Sequence, residues 1–406
     1  MTGDEGRAEA PGPGSSGEWP PHDAGGHSVT GHDVVSRNGA GRRVTDPPFA
    51  SAAPTPPTAV PLGPALPASG APSTPTAPAP PPADLEWERA VELIHAAREV
   101  SLACHVAPDG DALGSMLALA QALRALGKRC YASFGEPFAV PAILRFLPGQ
   151  ELLVEPAEMP PAPELMISLD AAGRARLGAL AGAADRAGAL IVVDHHASNT
   201  GFGGVRLVDP AAAATAVLVE ELIRRLGVPL DRDIAQGLYA GLASDTGSFK
   251  YPCTTPKVHD LAGRLLTAGV RPEAVSRELW DRAPFGYLQV LAGALSRARL
   301  ERDAAGGRGL VWTTIARSDR RSVPYDQLEG IIDQLRRTDE AEVAVVCKET
   351  DDGRWYFSVR SKGNIDLSVV CAALNGGGHR EMAGFLWSGT VDEALDRLRA
   401  LLPAES

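Results

Sequence analysis

Three short apolar runs in this chain end on acids or histidines. The run over 100–106 carries His105 and leads through Pro108 to Asp109 and Asp111. The run over 165–169 stops at Asp170, and the run over 190–193 stops at Asp194, His195 and His196. Apolar runs of this length, without polar alternation, fit strands buried on both faces. The segments between them are helical in pattern. Residues 112–126 read as an Ala/Leu-rich helix closed by Gly127, and 87–99, 217–226 and 261–266 show helical spacing of apolar side chains. Strands alternating with helices predict an α/β fold with a largely parallel sheet flanked by helices. In such sheets ligands bind beyond the carboxyl ends of the strands, so these acids and histidines are expected to share one edge.

At 406 residues the chain has room for two or three domains of roughly 100–200 residues each. Residues 1–84 hold more than half of the 34 prolines, mixed with Ala, Gly, Ser and Thr. This composition buries too little apolar surface to offset the entropy of ordering, so a disordered tail is expected, without the apolar core of a secretory signal. The tail carries 8 Asp+Glu and 4 Lys+Arg, which leaves 42 and 35, net −7, for the rest of a chain whose total is −11. That balance excludes a broad basic field for long nucleic acid, though not a local basic groove. No run is apolar enough for long enough to span a bilayer, so no membrane partner is expected. The five cysteines are dispersed and form no C-x-x-C pair. A disulfide framework or thiolate zinc site is therefore not expected, and a reducing, cytoplasmic location is.

A second, smaller α/β unit comes next. Residues 288–300 can form a helix leading into it, and 310–315, 343–347 and 355–359 read as strands. Residues 366–374 read as a short capped helix before a glycine cluster. The boundary falls at about 283–305. The expected organisation is a catalytic domain over 85–285, a linker over 286–304 and a substrate-binding domain over 305–402, with the site in the cleft between the two domains.

Each polar cluster has a bland explanation as well as a chemical one. In His105-Val-Ala-Pro-Asp109-Gly-Asp111, two carboxylates at the mouth of a helix can face different metal ions, or Asp111 can simply cap that helix. Gly114 and Ser115 at the helix start can help hold a phosphate. Asp170 can bind metal or cap the next segment. Adjacent histidines directed at a sheet edge by a buried strand are harder to explain as ordinary surface. One can bind metal, the next can face substrate, and Asp194 can fix a ring; Asn199 lies close behind. Asp245 sits at the end of a helical run in a small-residue loop. Together these supply carboxylates and imidazoles without thiolate, a donor set suited to Mn²⁺ and less exclusively to Mg²⁺, Co²⁺ or Fe²⁺. They are enough for two ions sharing a bridging carboxylate, as in phosphatases and nucleases. In the second unit, Arg360 offers a planar fork for phosphate, beside Ser361. Gly376, Gly377 and Gly378 before His379 allow close backbone approach to an anion.

The His105-x-x-x-Asp109-x-Asp111, Asp170, Asp194-His195-His196 and Asp245 motifs, in that order, resemble the DHH phosphoesterase superfamily. The Gly376-Gly-Gly-His379 loop is similar to its associated C-terminal domain. The resemblance covers about 86–400 and is nearest to the bifunctional oligoribonuclease and pAp-phosphatase (NrnA-like) branch, related members of which cleave linear or cyclic di-AMP. It implies that His105 and Asp109 bind one metal, that Asp111, His195 and Asp245 bind the other, and that Asp170 bridges them. It further implies that His196 contacts the scissile phosphate and can protonate the leaving oxygen, with Asp194 orienting a histidine. Arg360, Ser361, His379 and the backbone of Gly376, Gly377 and Gly378 would hold the substrate's terminal phosphate or nucleotide. The expected activity is Mn²⁺-dependent hydrolysis of short RNA oligonucleotides and of 3′-phosphoadenosine 5′-phosphate (pAp), by in-line attack of a hydroxide activated by two metals. Cyclic or linear di-AMP is the alternative substrate, and a homodimer is implied by resemblance alone. The rivals are a family II inorganic pyrophosphatase, a RecJ-like exonuclease and an inert nucleotide sensor. The glycine loop argues against the first, the short length against the second, and the full set of candidate ligands against the third.

Overall fold

The computed structural model describes residues 83–320 and 323–404. The disordered tail expected over 1–84 lies outside the described residues up to 82. Helix α1 (Asp84–Ala96) begins at its last residue.

Strands β1 (Glu99–Cys104), β2 (Arg129–Phe134), β3 (Leu165–Leu169), β4 (Ala189–Asp194) and β5 (Val205–Val208) form a parallel sheet in the order β2-β1-β3-β4-β5. Strand alternation explains the unbroken apolar runs. Val100, Leu102 and Cys104 join one core with Ile167 and Ile191, while Ala103 and Met166 join a second core on the opposite face. The larger core is closed by α1, α2 (Gly110–Ala125), α4 (Thr215–Arg225), α5 (Arg232–Asp245) and α6 (Pro256–Thr267). The other face is closed by α3 (Ala181–Arg186) and the turns before it. Helix α7 (Pro272–Trp280) adds Val275 and Leu279 to the larger core. Helices α2 and α5 cross backbone to backbone, for a Cβ on Gly114 would stand 2.4 Å from the Gly237 carbonyl oxygen. Only a glycine allows that approach. Gly114 therefore serves helix packing and not the phosphate that its place at a helix start suggests.

The strand order reverses between β1 and β3. Crevices at such a reversal, outside the carboxyl ends of the strands, are where ligands bind in open α/β sheets. His105 and Asp170 come immediately after those two strands.

The second sheet is mixed, in the order β10-β11-β9-β8-β7-β6. It is built from β6 (Arg299–Glu301), β7 (Leu310–Ile315), β8 (Val343–Glu349), β9 (Trp355–Ser361), β10 (Gly377–Gly378) and β11 (Met382–Trp387). Only β7 and β8 run parallel within it. The stretch 286–304, expected as a linker, is part of this layer. Helix α8 (Phe285–Ser296) buries Val290 and Ala294 against Val311 and Ile315, and β6 forms the edge of the sheet. Single turns α9 (Ala304–Gly307) and α10 (Arg317–Arg320) and the short α11 (Ile331–Leu335) connect the strands. The capped helix expected over 366–374 is α12 (Leu367–Ala372), whose Ser368 amide and hydroxyl both donate to the Asp366 carboxylate. It packs on one face with α13 (Val391–Leu401). No helix among the described residues is long and apolar enough to cross a membrane.

Candidate metal centre

The ends of β1, β3 and β4 deliver His105, Asp170 and the Asp194–His196 trio. The N-cap and first turn of α2 add Asp109 and Asp111, and the last residue of α5 adds Asp245. His379 comes from the turn between β10 and β11 of the other sheet. Six non-glycine residues among those described have positive φ. Five of them, Ala107, Asp170, Ser248, Phe249 and Asn375, lie in or beside these segments. Backbone held in this sparsely populated region concentrates at functional sites, where surrounding contacts over-determine it.

The donors form two sets joined by one residue. His105 Nε2 lies 3.8 Å from Asp109 Oδ2 and 3.6 Å from Asp170 Oδ2. His195 Nε2 lies 3.7 Å from Asp111 Oδ2, 3.1 Å from Asp245 Oδ2 and 3.6 Å from the other Asp170 oxygen, Oδ1. Ligands around an ion with bonds of about 2.1 Å stand roughly 3–3.4 Å apart, so each set is spaced to converge on one cation. His195 Nε2 and Asp245 Oδ1 are buried without a hydrogen-bond partner among the described residues. Buried polar atoms are almost always satisfied, and two such orphans facing carboxylates and imidazoles fit a divalent ion.

Further contacts hold the carboxylates in place. Asp109 caps α2, its Oδ1 accepting from the amides of Asp111 and Ala112, while its Oδ2 turns to His105. Capping and ligand geometry thus coexist in one side chain. Asp111 accepts from the Thr215 and Ala216 amides at the start of α4 and from Ser115 Oγ. Ser115, like Gly114, is spent on the centre's framework. The Thr215 hydroxyl donates to Asp170 Oδ1 at 2.8 Å, so this one residue ties Asp111 to Asp170. In the sequence Thr215 is only a threonine at the start of an apolar helical run, which is too weak a signal to find it. Asp194 accepts from His196 Nδ1 at 2.7 Å and from Asn199 Nδ2 at 2.6 Å.

The crowd of carboxylates sets the protonation of the histidines. Burial opposes an imidazolium at His105, but hydrogen bonding and charge from Asp109 and Asp170 outweigh it and push the pKa up to about 10. At His195 burial likewise opposes the imidazolium, and the neighbouring carboxylates of Asp245, Asp170 and Asp111 outweigh it and raise the pKa well above its usual value. Burial and the neighbouring carboxylates push Asp245 up to about 6. Without cations, then, protons offset the negative charge. A histidine whose folded pKa exceeds its unfolded value of about 6.5 stabilises the fold fully below that pH and loses the contribution as pH rises towards 10. Divalent ions bind the deprotonated ligands. In a thermal-melt series, protein stripped with EDTA should therefore lose melting temperature between pH 6.5 and pH 9, while the gain on adding Mg²⁺ should grow. A gain that stays constant with pH would contradict proton-for-metal exchange at His105.

The substrate residues expected from the second unit divide into two groups. The His379 ring stacks on His196 at 4.4 Å between centroids and lies 4.6 Å from His195, with Nε2 3.6 Å from Asp245 Oδ2. Arg360 is partly buried. Its Nη1 donates to the Val359 carbonyl, and its Nε has no partner among the described residues. Gly377 has open space where a Cβ would stand, whereas a Cβ on Gly376 or Gly378 would strike the backbone of β11. Those two glycines are needed for pairing within the sheet. Ser361 corrects the sequence reading. It is fully buried and its hydroxyl donates to the Ile365 carbonyl, so it faces the fold's interior and not a ligand. Two further residues stand near Arg360 that the sequence reading does not single out. The Arg336 guanidinium lies 4.9 Å from the Tyr251 ring and its Nε donates to the Ser361 carbonyl.

Comparison with known proteins agrees with this architecture. The DHH family N-terminal domain matches residues 99–242 and the DHHA1 domain matches residues 313–404. The chain is 34% identical over 323 residues to the bifunctional oligoribonuclease and PAP phosphatase NrnA of Thermus thermophilus, across 79% of this chain and 94% of that protein. It is 30% identical over 223 residues to the cyclic-di-AMP phosphodiesterase GdpP of Geobacillus thermodenitrificans, across 53% of this chain and 32% of that one. The crystal structure of an exopolyphosphatase-related protein from Bacteroides fragilis shares the fold, with a TM-score of 0.70 at 22% identity over 79% of this chain and 96% of its own.

Proposed function

We propose that this chain, which belongs to the DHH family of phosphoesterases, hydrolyses short oligoribonucleotides to mononucleotides and pAp to AMP. The observation that carries this reading is the Asp170 carboxylate, with one oxygen 3.6 Å from His105 and the other 3.6 Å from His195. The similarity to the Thermus oligoribonuclease and phosphatase supports the substrate class.

On this reading His105 and Asp109 hold one divalent ion, Asp111, His195 and Asp245 hold the other, and Asp170 serves both. Carboxylates with imidazoles favour Mn²⁺, with Mg²⁺ or Co²⁺ as substitutes. Bound there, such ions supply Lewis acidity and a water of lowered pKa at a phosphoryl centre. The chain's residues do the rest. The Asp194 carboxylate can only accept, so the His196 ring carries hydrogen on Nδ1. Burial opposes its imidazolium, but the Asp194 and Asp170 carboxylates favour it, so the ring also carries hydrogen on the Nε2 it turns towards substrate. A proton passes from Nε2 to the leaving oxygen as its bond to phosphorus breaks. Arg360 pairs with the substrate's terminal phosphate, and the Gly377 backbone and His379 line the same cleft. Gripping one end favours short substrates, and it requires no long-range attraction of a polyanion to an acidic protein. The five cysteines, all free thiols, suit a reducing cytoplasm.

A cyclic or linear di-AMP phosphodiesterase is the second reading, favoured by the similarity to GdpP. The full chain with Mn²⁺ should be offered pAp, the dinucleotide pApA, cyclic di-AMP, a five-nucleotide RNA and pyrophosphate. Turnover of pAp and the short RNA is expected. Turnover of di-AMP substrates alone would support the second reading. Pyrophosphate as sole substrate, or inertness throughout, would overturn both.

A further inference from the structure

The loop after β4 contains a fixed hydrogen-bond chain behind His196. Asp194 is fully buried, and both of its oxygens are engaged. Oδ1 accepts from His196 Nδ1 at 2.7 Å and Oδ2 accepts from Asn199 Nδ2 at 2.6 Å. Asn199 is itself held at both ends of its amide. Its Oδ1 accepts from the Gly201 amide at 2.8 Å, and its Nδ2 also reaches the Ala171 carbonyl at 3.5 Å, next to Asp170. The backbone fastens the same loop to the end of β3, because the Thr200 amide donates to the Ala172 carbonyl at 2.8 Å. The Asp194 carboxylate therefore has no freedom to rotate away from the ring.

The geometry points to Asn199 as a positioning residue for leaving-group protonation: its amide locks Asp194, and Asp194 fixes the His196 ring with Nε2 presented to the leaving oxygen. This deepens the hydrolytic reading above and rests on it. In the step concerned, a hydroxide, formed as a water gives its proton to solvent, bonds to phosphorus through its oxygen. The bond from phosphorus to the leaving oxygen breaks, and that oxygen takes the Nε2 proton of the His196 imidazolium, leaving the neutral ring with hydrogen on Nδ1 against Asp194. An alkoxide from a ribose needs this proton. A p-nitrophenolate does not, because it is a stable anion. Orientation of the ring should therefore matter for one class of ester and not for the other. A carboxylate acting only through an oriented histidine is a familiar arrangement, and groups standing behind functional histidines commonly change activity by about 10- to 100-fold.

The test compares the wild-type full chain with Asn199→Ala and Asn199→Asp, the latter keeping shape while replacing the donor by a second carboxylate against Asp194. With Mn²⁺, kcat on pApA should fall about 10- to 100-fold in both variants. On the p-nitrophenyl ester of thymidine 5′-monophosphate it should change less than about threefold, because no proton is required there. Equal losses on the two substrates, or no loss on pApA, would overturn the assignment. A second readout needs no substrate. In Mg²⁺-loaded protein carrying ¹⁵N-histidine, at a pH high enough that the ring has given up its Nε2 proton, the His196 signal, assigned by its disappearance in His196→Gln, should show the Nδ1–H tautomer in wild type and a mixture in Asn199→Ala. An unchanged tautomer in the variant refutes the positioning role whatever the substrate is. A wild-type protein inactive on both esters instead refutes the hydrolytic reading, and the tautomer result then still decides on Asn199.

Discussion

Asp170→Asn should lower kcat on pAp or pApA by about 10³-fold or more. Asparagine keeps the size of the side chain and tolerates the left-handed backbone at this position, where φ is +55°, so the fold should survive. The charge does not. In the native protein the two carboxylate oxygens face different donor sets, Oδ2 towards His105 and Oδ1 towards His195 and the Thr215 hydroxyl. An amide offers one oxygen and one NH₂ group, so one set must face a donor where it had an acceptor. Charge stabilisation by a pair of ions contributes several kcal/mol at a phosphoryl transition state, and each 1.36 kcal/mol is a factor of ten in rate. Losing one ion therefore accounts for a fall of roughly 10³-fold. Calorimetry should register the same loss as a weakened binding step for Mn²⁺. Turnover within tenfold of wild type, with Mn²⁺ binding intact, would show that no carboxylate is shared. Thr215→Val removes the hydroxyl that orients Asp170 and should cost less, about 10- to 100-fold.

Much of this centre is legible because parallel strands buried on both faces betray themselves by unbroken apolar runs. His105, Asp170 and the Asp194–His196 trio stand at the carboxyl ends of those runs. Asp245 can be placed at a helix end, but its arrival beside His195 depends on the crossing of α2 and α5 through Gly114 and Gly237. That is a tertiary fact without a local signature. Thr215 is hidden for the same reason, since its partners Asp111 and Asp170 lie far away in sequence. Ser361 shows the opposite failure, a motif read against strand geometry. Arg360 and Ser361 are neighbours on β9, and neighbours on a strand point to opposite faces. Both could not reach one ligand. The burial of Ser361 and the partial exposure of Arg360 result from that alternation. The segment 286–304 reads as a linker in sequence because its strand is short and its helix buries only Val290 and Ala294.

His379→Ala and Arg360→Ala should separate, the first in kcat and the second in KM. Both side chains come from the second sheet, but they stand in different surroundings. The His379 ring lies against His195 and His196, at 4.6 and 4.4 Å, and burial together with the charge on those two rings pushes its pKa well below the usual histidine value. On the reading proposed above this ring stands beside the reacting phosphate and acts through a directed hydrogen bond, which strengthens as charge develops in the transition state. Its loss should lower kcat about 10²-fold with little change in KM. Arg360 is on β9 opposite Met382, and on the reading proposed above it pairs with a charge that the substrate carries throughout the reaction. Hydrogen bonds to charged groups contribute about 1.5–3 kcal/mol. Arg360→Ala should accordingly raise KM roughly 10- to 100-fold on pAp with kcat nearly unchanged, because ground state and transition state lose the same contact. Steady-state kinetics of the two variants on pAp decide the matter. If His379→Ala moved only KM, the ring would be a second grip on the substrate's end, and the role of the second domain would reduce to capture.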